Sequence, residues 1–244
     1  MSNDCINGKM MRIAVISDIH GNLLALNAFL NAVENEGIDY IYHLGDAIYL
    51  CPYSYECLTI LFQNPKVRMV RGNYEEYLIL GENHPQRMFW KSEFIEHQRQ
   101  ANEFITLELK KMVSQIPYII REHCLGKQLC FLHYPFDSKK NYYDIISNPQ
   151  IEDLNNLFKN YSDDIIFYGH EHSESDLQGN SRYVNPGSLG CSKDDYAKYI
   201  IINFDYNGYQ IEHKKVKYDR DALFRAFEEK KTIGKDAIIK NYFM

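Results

Sequence analysis

Short β-branched runs alternate with helical stretches along this chain, and five of the runs stop at aspartate, asparagine or histidine, residues that a buried strand has no use for. The runs are Arg12 to Ser17, Tyr40 to Leu44, Val67 to Val70, Gln128 to Leu132, Asp164 to Tyr168, Arg182 to Val184, Lys198 to Phe204 and Tyr209 to Val216. Each has strand length and strand composition. After the first, Leu23, Leu24, Leu26, Phe29, Leu30 and Val33 form an apolar face at helical spacing, as a crossover between parallel strands requires. Gly37 is expected to end that helix. Only the turn former Asp205 to Gly208 separates the last two runs, so that pair is antiparallel and the sheets are mixed. The fold class is α/β.

Between Tyr74 and Pro117 no strand pattern is found; helical spacing marks an insertion over about residues 77–116. It leaves the chain directly after one of the polar strand ends and is expected to overhang the site and select the substrate. Residues 219–244 read as one amphipathic helix with a shorter apolar end. At roughly 150 residues per domain, 244 residues make a single domain, 1–244, that carries an insertion.

With 45% hydrophobic and 25% charged residues and no low-complexity tract, the chain is neither disordered nor collagen-like. Its apolar runs fall well short of the ~20 residues of a membrane span, and Met1 to Met10 holds no segment of signal-peptide kind, so a cytoplasmic protein without a membrane partner is expected. A net charge of −6 and the lack of a Lys/Arg stripe make nucleic acid an unlikely partner. The six cysteines include no CxxC pair and are read as reduced.

The chemistry lies at the strand ends: Asp18-Ile19-His20, Gly45-Asp46, Gly72-Asn73, His133 and Gly169-His170-Glu171-His172. Open α/β sheets gather ligands at the carboxyl ends of their strands, so these positions are expected to converge. Asp18 and His20 are two residues apart, as are His170 and His172, which turns both side chains of each pair to one side. The set of two carboxylates, one carboxamide and four imidazoles exceeds one tetrahedral zinc but suits two ions about 3.5–4 Å apart. Asp46 is the best shared ligand, because a bridging carboxylate offsets the repulsion between two cations. Nitrogen and oxygen donors without thiolate favour Mn, Fe, Zn or Co over Ca or Mg.

In this order, Asp-x-His, Gly-Asp, Gly-Asn, His and Gly-His-x-His resemble the calcineurin-like metallophosphoesterase superfamily, and Tyr183-Val-Asn-Pro-Gly-Ser188 resembles a signature of its small bacterial and archaeal phosphodiesterase branch. The resemblance covers Arg12 to about Tyr218. It implies a four-layer α/β/β/α sandwich of two mixed sheets with helices outside. It also implies that Asp18, His20 and His172 hold one metal ion, that Asn73, His133 and His170 hold a second, and that Asp46 bridges. The ions would be divalent or trivalent transition metals such as Mn, Fe, Zn, Co or Ni. The implied reaction is hydrolysis of a phosphodiester or phosphoanhydride, in a small, nucleotide-like substrate such as a dinucleoside polyphosphate or cyclic nucleotide. A metal-bound hydroxide attacks in line, with Asp46, Asn73 and His172 as the catalytic residues. The alternatives are a non-catalytic protein-interaction scaffold on the same fold, and a nuclease.

One position departs from the pattern. Many members carry histidine after Gly-Asn, where this chain has Tyr74, a candidate substrate contact but a poor proton donor at neutral pH. His84 and His97 in the insertion are candidate replacements. His43 is read as packing or bonding backbone in its strand, His123 and His213 as solvated, and Asn185 to Ser188 as a tight turn whose Asn braces the site. Tyr49, Tyr53 and Tyr55 are candidates for an aromatic pocket wall.

Overall fold

A computed structural model describes residues 11–85, 88 and 91–244 of the chain. The readings of Met1 to Met10, Cys5 included, lie outside these residues. One sheet has the strand order β10 (Gly208–Lys217), β9 (Tyr196–Asp205), β1 (Met11–Ile16), β2 (Tyr40–His43), β3 (Val67–Met69). The other runs β4 (Ile119–Cys124), β5 (Lys127–Leu132), β6 (Ile165–Phe167), β8 (Arg182–Pro186), β7 (Glu174–Gln178). Both are mixed. β1, β2 and β3 are parallel, as are β5, β6 and β8, while β9, β10, β4 and β7 pair antiparallel at the flanks.

Two-residue periodicity builds the layers. Within β1, Ile13 and Val15 face the second sheet and meet Tyr42, Leu44, Phe131, Phe167 and Ile202; Ala14 and Ile16 face the helices. Buried on both faces, such strands read as continuous apolar runs, which is why the sequence displays them so clearly. Helices α1 (Leu23–Val33), α2 (Ser54–Gln63), α3 (Asn73–Leu80), α5 (Leu107–Ser114), α7 (Arg220–Glu229) and α8 (Lys235–Tyr242) send buried side chains into the core on the first sheet's outer face. Helix α6 (Ile151–Leu157) contributes Leu154 to the core behind the second. Helix α4 (Ser92–Asn102) completes the eight α-helices among the described residues. The result is the four-layer sandwich.

The sequence reading needs four corrections. It lacks β4 and β7, the two edge strands of the second sheet, whose side chains are largely exposed or half-buried and polar. Helix α1 ends at Val33, and Gly37, with φ of 65°, closes a turn further on. The apolar end of the tail is a full helix, α8. The insertion's first helix begins at Asn73 itself, so a strand-end residue is also the first helical residue. No strand lies between Tyr74 and Pro117 among the described residues. Arg71 clamps the two ends of that segment, donating to Glu76 (3.0 Å) where it leaves and to the Ser114 carbonyl (2.7 Å) where it returns.

Candidate metal centre

All seven strand-end residues meet at one edge of the sandwich. Asp18, His20 and His172 form one cluster and Asp46, His133 and His170 another, each with its donor atoms within 4.8 Å of one another. Asn73 joins the second, its Oδ1 3.0 Å from His133 Nε2. Asp46 stands between them, Oδ2 being 3.4 Å from His133 Nε2 and 3.9 Å from His20 Nε2.

The local backbone is strained in order to aim these groups. Asp18, His20, Asp46, His170 and His172 all have φ between 50° and 74°, a left-handed conformation that costs a non-glycine residue energy and persists only where the surroundings enforce it. The enforcement is visible at Gly45 and Gly72. A Cβ on Gly45, whose φ is 102°, would stand 2.8 Å from the Gly72 Cα, and one on Gly72 would strike the Asp46 carboxylate. Only paired glycines let the Asp46 and Asn73 loops approach so closely.

Each buried carboxylate spends one oxygen on the fold and turns the other to the site. Asp18 Oδ2 accepts from the His170 amide (3.1 Å) while Oδ1 lies buried without a hydrogen-bond donor, 3.5 Å from His172 Nε2. Asp46 Oδ1 accepts from the Tyr74 amide (2.9 Å), leaving Oδ2 for the two clusters. Second hydrogen bonds orient the rings too. His133 Nδ1 donates to the Leu44 carbonyl (2.8 Å) and His20 Nδ1 to that of Ile48 (3.4 Å), which points both Nε2 atoms inward. His20 Nε2 lies 3.0 Å from His172 Nε2, and His133 Nε2 3.0 Å from His170 Nδ1. Converging imidazole nitrogens around an orphaned buried carboxylate oxygen match the donor set of transition-metal cations.

The electrostatics agree. Burial pushes the Asp18 and Asp46 carboxyls up, but the neighbouring imidazoles, His172 for Asp18 and His133 for Asp46, hold both below the usual carboxylate range. Burial lowers His20 to about 4 and His170 to about 3, so both stay neutral, with lone pairs available. Burial also works against charge on His133, yet the Asp46 carboxylate raises it to about 9. Two buried carboxylates therefore demand positive charge here.

Glu75 was missed by the sequence reading. Fully buried, its carboxylate accepts the amides of Asp46 (2.8 Å), Ala47 (2.7 Å) and Gly72 (2.8 Å), fastening two ligand loops together. The signal existed: a glutamate at the third position of a helix accepts the N-cap amide, here Gly72. Asn185 and Pro186 end β8 rather than forming a tight turn, but the Asn-Pro-Gly-Ser segment does brace the site. Asn185 Nδ2 donates to the Gly169 carbonyl (3.3 Å) and Ser188 Oγ to that of Asp18 (2.7 Å).

Other assignments change. His97 accepts the Leu50 amide (3.0 Å) on Nε2 and faces the Ile233 carbonyl (3.0 Å) with Nδ1, so it is a structural clip with no proton for a substrate. His84 packs edge-on against Tyr77 at 4.7 Å. Tyr49 is wholly buried and donates to Asn102 (2.8 Å), Tyr53 packs beneath Lys230, and Tyr55 is exposed over another groove. The site's aromatic surround is instead Tyr74 beside His20 (4.9 Å), Tyr242 beside His172 (6.0 Å), and Tyr134 and Tyr142 beside His170 (5.0 and 6.1 Å). His43 is buried and neither ring nitrogen has a partner; His123 and His213 are exposed as expected, His213 lying 3.8 Å from Glu174.

A four-layer sandwich with this strand-end set defines a class. Residues 11–207 match the calcineurin-like phosphoesterase superfamily domain, and the chain belongs to that superfamily. It is 30% identical over 248 residues to an uncharacterized protein of Methanocaldococcus jannaschii, covering 89% of this chain and 90% of that one. The crystal structure of a hypothetical protein from Pyrococcus horikoshii OT3 is similar with a TM-score of 0.79 at 17% identity, over 96% of this chain and 98% of the other. A metallophosphoesterase from Sphaerobacter thermophilus is similar with a TM-score of 0.69 at 21% identity, over 94% and 97% of the two chains.

Proposed function

We propose that the protein is a metal-dependent phosphoesterase that hydrolyses phosphodiester or phosphoanhydride bonds of a small, nucleotide-like substrate. Two transition metal ions, of Mn, Fe, Zn, Co or Ni type, would be held by Asp18, His20 and His172 and by Asn73, His133 and His170, with Asp46 between. The observation that carries this reading is the position of Asp46 Oδ2, facing both imidazole clusters from 3.4 and 3.9 Å. Such a pair of cations supplies a water nucleophile at neutral pH and neutralises charge on the phosphoryl oxygens.

The chain's own residues do the rest. Asn73 and Asp46 fix the position of the reacting phosphorus relative to both clusters. His172, half-buried where His20 and Asp18 are fully buried, stands on the open side and can contact a phosphoryl oxygen. Tyr74, whose hydroxyl burial pushes well above its ordinary value and which is hydrogen-bonded to Tyr242, keeps its proton. Without a ready acid, the leaving group has to be a good one, which favours phosphoanhydrides and nucleotide esters.

A scaffold role would relax selection on ligand geometry, whereas here seven donors and the glycines beneath them are intact. A nuclease would need a basic track, which the charge of −6 does not supply. No described helix is long and apolar enough to cross a membrane, and the five described cysteines are free and buried, which accords with a reducing, cytoplasmic location.

The test is reconstitution. Stripped protein supplied with Mn, Co, Ni, Fe or Zn and screened on nucleotides and synthetic esters should hydrolyse some of them, with metal content approaching two ions per chain. Asp46→Ala should lose both activity and stoichiometry. Full activity with a single tightly bound ion would overturn the dinuclear reading.

A further inference from the structure

A cavity of about 180 Å³ opens between α4 and α8, lined by Leu50, Tyr74, Phe94, Ile238, Asn241 and Tyr242 among others. No metal-cluster residue lines it, yet it adjoins the cluster through two tyrosines. The Tyr74 ring meets His20 edge-on at 4.9 Å on one side and Phe94 at 6.0 Å on the other. Tyr242, from the last helix, lies 6.0 Å from His172, and its hydroxyl is hydrogen-bonded to that of Tyr74. The tyrosine pair therefore has one face on the metal centre and one on the cavity.

We propose that this cavity is the subsite for the nucleobase of a nucleotide substrate whose phosphate lies at the Asp18–His172 edge, an inference that rests on the phosphoesterase reading above. Three observations select this occupant. The first is size: an apolar cavity of about 150 Å³ takes one benzene ring, so 180 Å³ with an open rim takes one base and excludes a second. The second is lining: Phe94, half-buried on α4, and Tyr242 offer ring faces on which any base stacks, while the Asn241 amide and the Tyr242 hydroxyl proton can address a base edge. The third is reach. The Tyr74 ring separates the cavity from His20, so a ring esterified directly to phosphorus stays outside, whereas a base set off by its sugar spans the gap. A plain packing gap between two helices would explain the volume, but not a lining of aromatic rings that runs on through Tyr74 and Tyr242 to His20 and His172.

The experiment compares two diesters with the same leaving group, thymidine 5′-(4-nitrophenyl phosphate) and bis(4-nitrophenyl) phosphate, on the Mn-loaded full chain. Wild type should show a KM at least about tenfold lower for the nucleoside ester, the scale of one base–aromatic stack. Phe94→Ala should raise that KM at least about fivefold while leaving kcat and the KM for the bis-aryl ester unchanged. Because Phe94→Ala could loosen α4, Ala237→Leu, which fills the cavity mouth from α8, should reproduce the selective rise with an unaltered thermal midpoint. A readout independent of turnover is binding of thymidine and adenosine to the metal-free chain by saturation-transfer NMR, expected in wild type and lost in both variants. Equal KM values for the two esters, or nucleoside binding that neither variant weakens, would overturn the subsite and leave the phosphoesterase reading standing. Hydrolysis of neither ester, with variant-sensitive nucleoside binding, would instead sink the phosphoesterase reading and support the pocket.

Discussion

His43 shows how burial decides what a residue does. Three residues from Asp46, it sits in β2 with no solvent exposure and no partner for either ring nitrogen. Burial lowers it to about 3, against an ordinary 6.5. Between those values the unfolded chain binds a proton that the folded chain refuses, so stability is full above pH 6.5 and falls as pH drops toward 3. His43→Leu, a swap of similar volume, is expected to be neutral or to stabilise by roughly 1–2 kcal/mol at pH 7, since it removes two unsatisfied polar atoms. It should also shrink the loss between pH 7 and 5; urea midpoints at the two pH values check both, and an unchanged pH slope would show the ring to be satisfied. Tyr74 makes the opposite point. Its hydroxyl is too weak an acid to protonate an alkoxide, so rates should depend steeply on leaving-group acidity across a series of aryl and alkyl esters. Tyr74→His should flatten that dependence, helping alkyl esters most. Similar wild-type rates on both kinds, with chemistry limiting, would mean that another acid serves, and His97, with both nitrogens engaged, would not be it.

At the scale of elements, the start of α3 carries more than its length suggests. Asn73 is the first helical residue, Tyr74 gives its amide to Asp46, and Glu75 ties down three amides on two loops. Glu75→Ala removes all three tethers from groups that touch no substrate, and should weaken Mn binding roughly 10- to 100-fold, the range for residues that orient metal ligands. A competition titration that returned wild-type affinity would show the loops to be held by their glycines alone. The elements that sequence reading missed share a cause. β4 and β7 are edge strands with one partner each and alternating exposure, so neither needs an apolar run, and pairing with β5 and β8 rather than intrinsic preference makes them strands.

For the molecule as a whole, the centre is a joint between two sheets. Asp18, Asp46 and Asn73 follow strands of the first, and His133, His170 and His172 follow strands of the second. Their separation is set by the core between the sheets, where Phe131 stacks on Tyr42 at 3.9 Å and on Phe167 at 5.0 Å. Phe131→Ala, at a fully buried position two residues before His133, should cost about 3–5 kcal/mol in urea unfolding and lower metal affinity as well. Lost stability with unchanged affinity would show that the two sheets keep their spacing without this stack. The sequence by itself determined which polar residues stand at the strand ends, because alternation, two-residue spacing and glycines beside them are local properties written in neighbouring residues. It also carried the four-layer arrangement, through motifs whose order matches a known superfamily. Only the tertiary structure decided which carboxylate oxygen faces the site, that Glu75 rather than a second histidine steadies it, and that α8 returns from the far end of the chain to set Tyr242 against Tyr74. Those facts depend on distances between segments remote in sequence, and such distances are fixed by how sheets and helices pack, a quantity no local periodicity encodes.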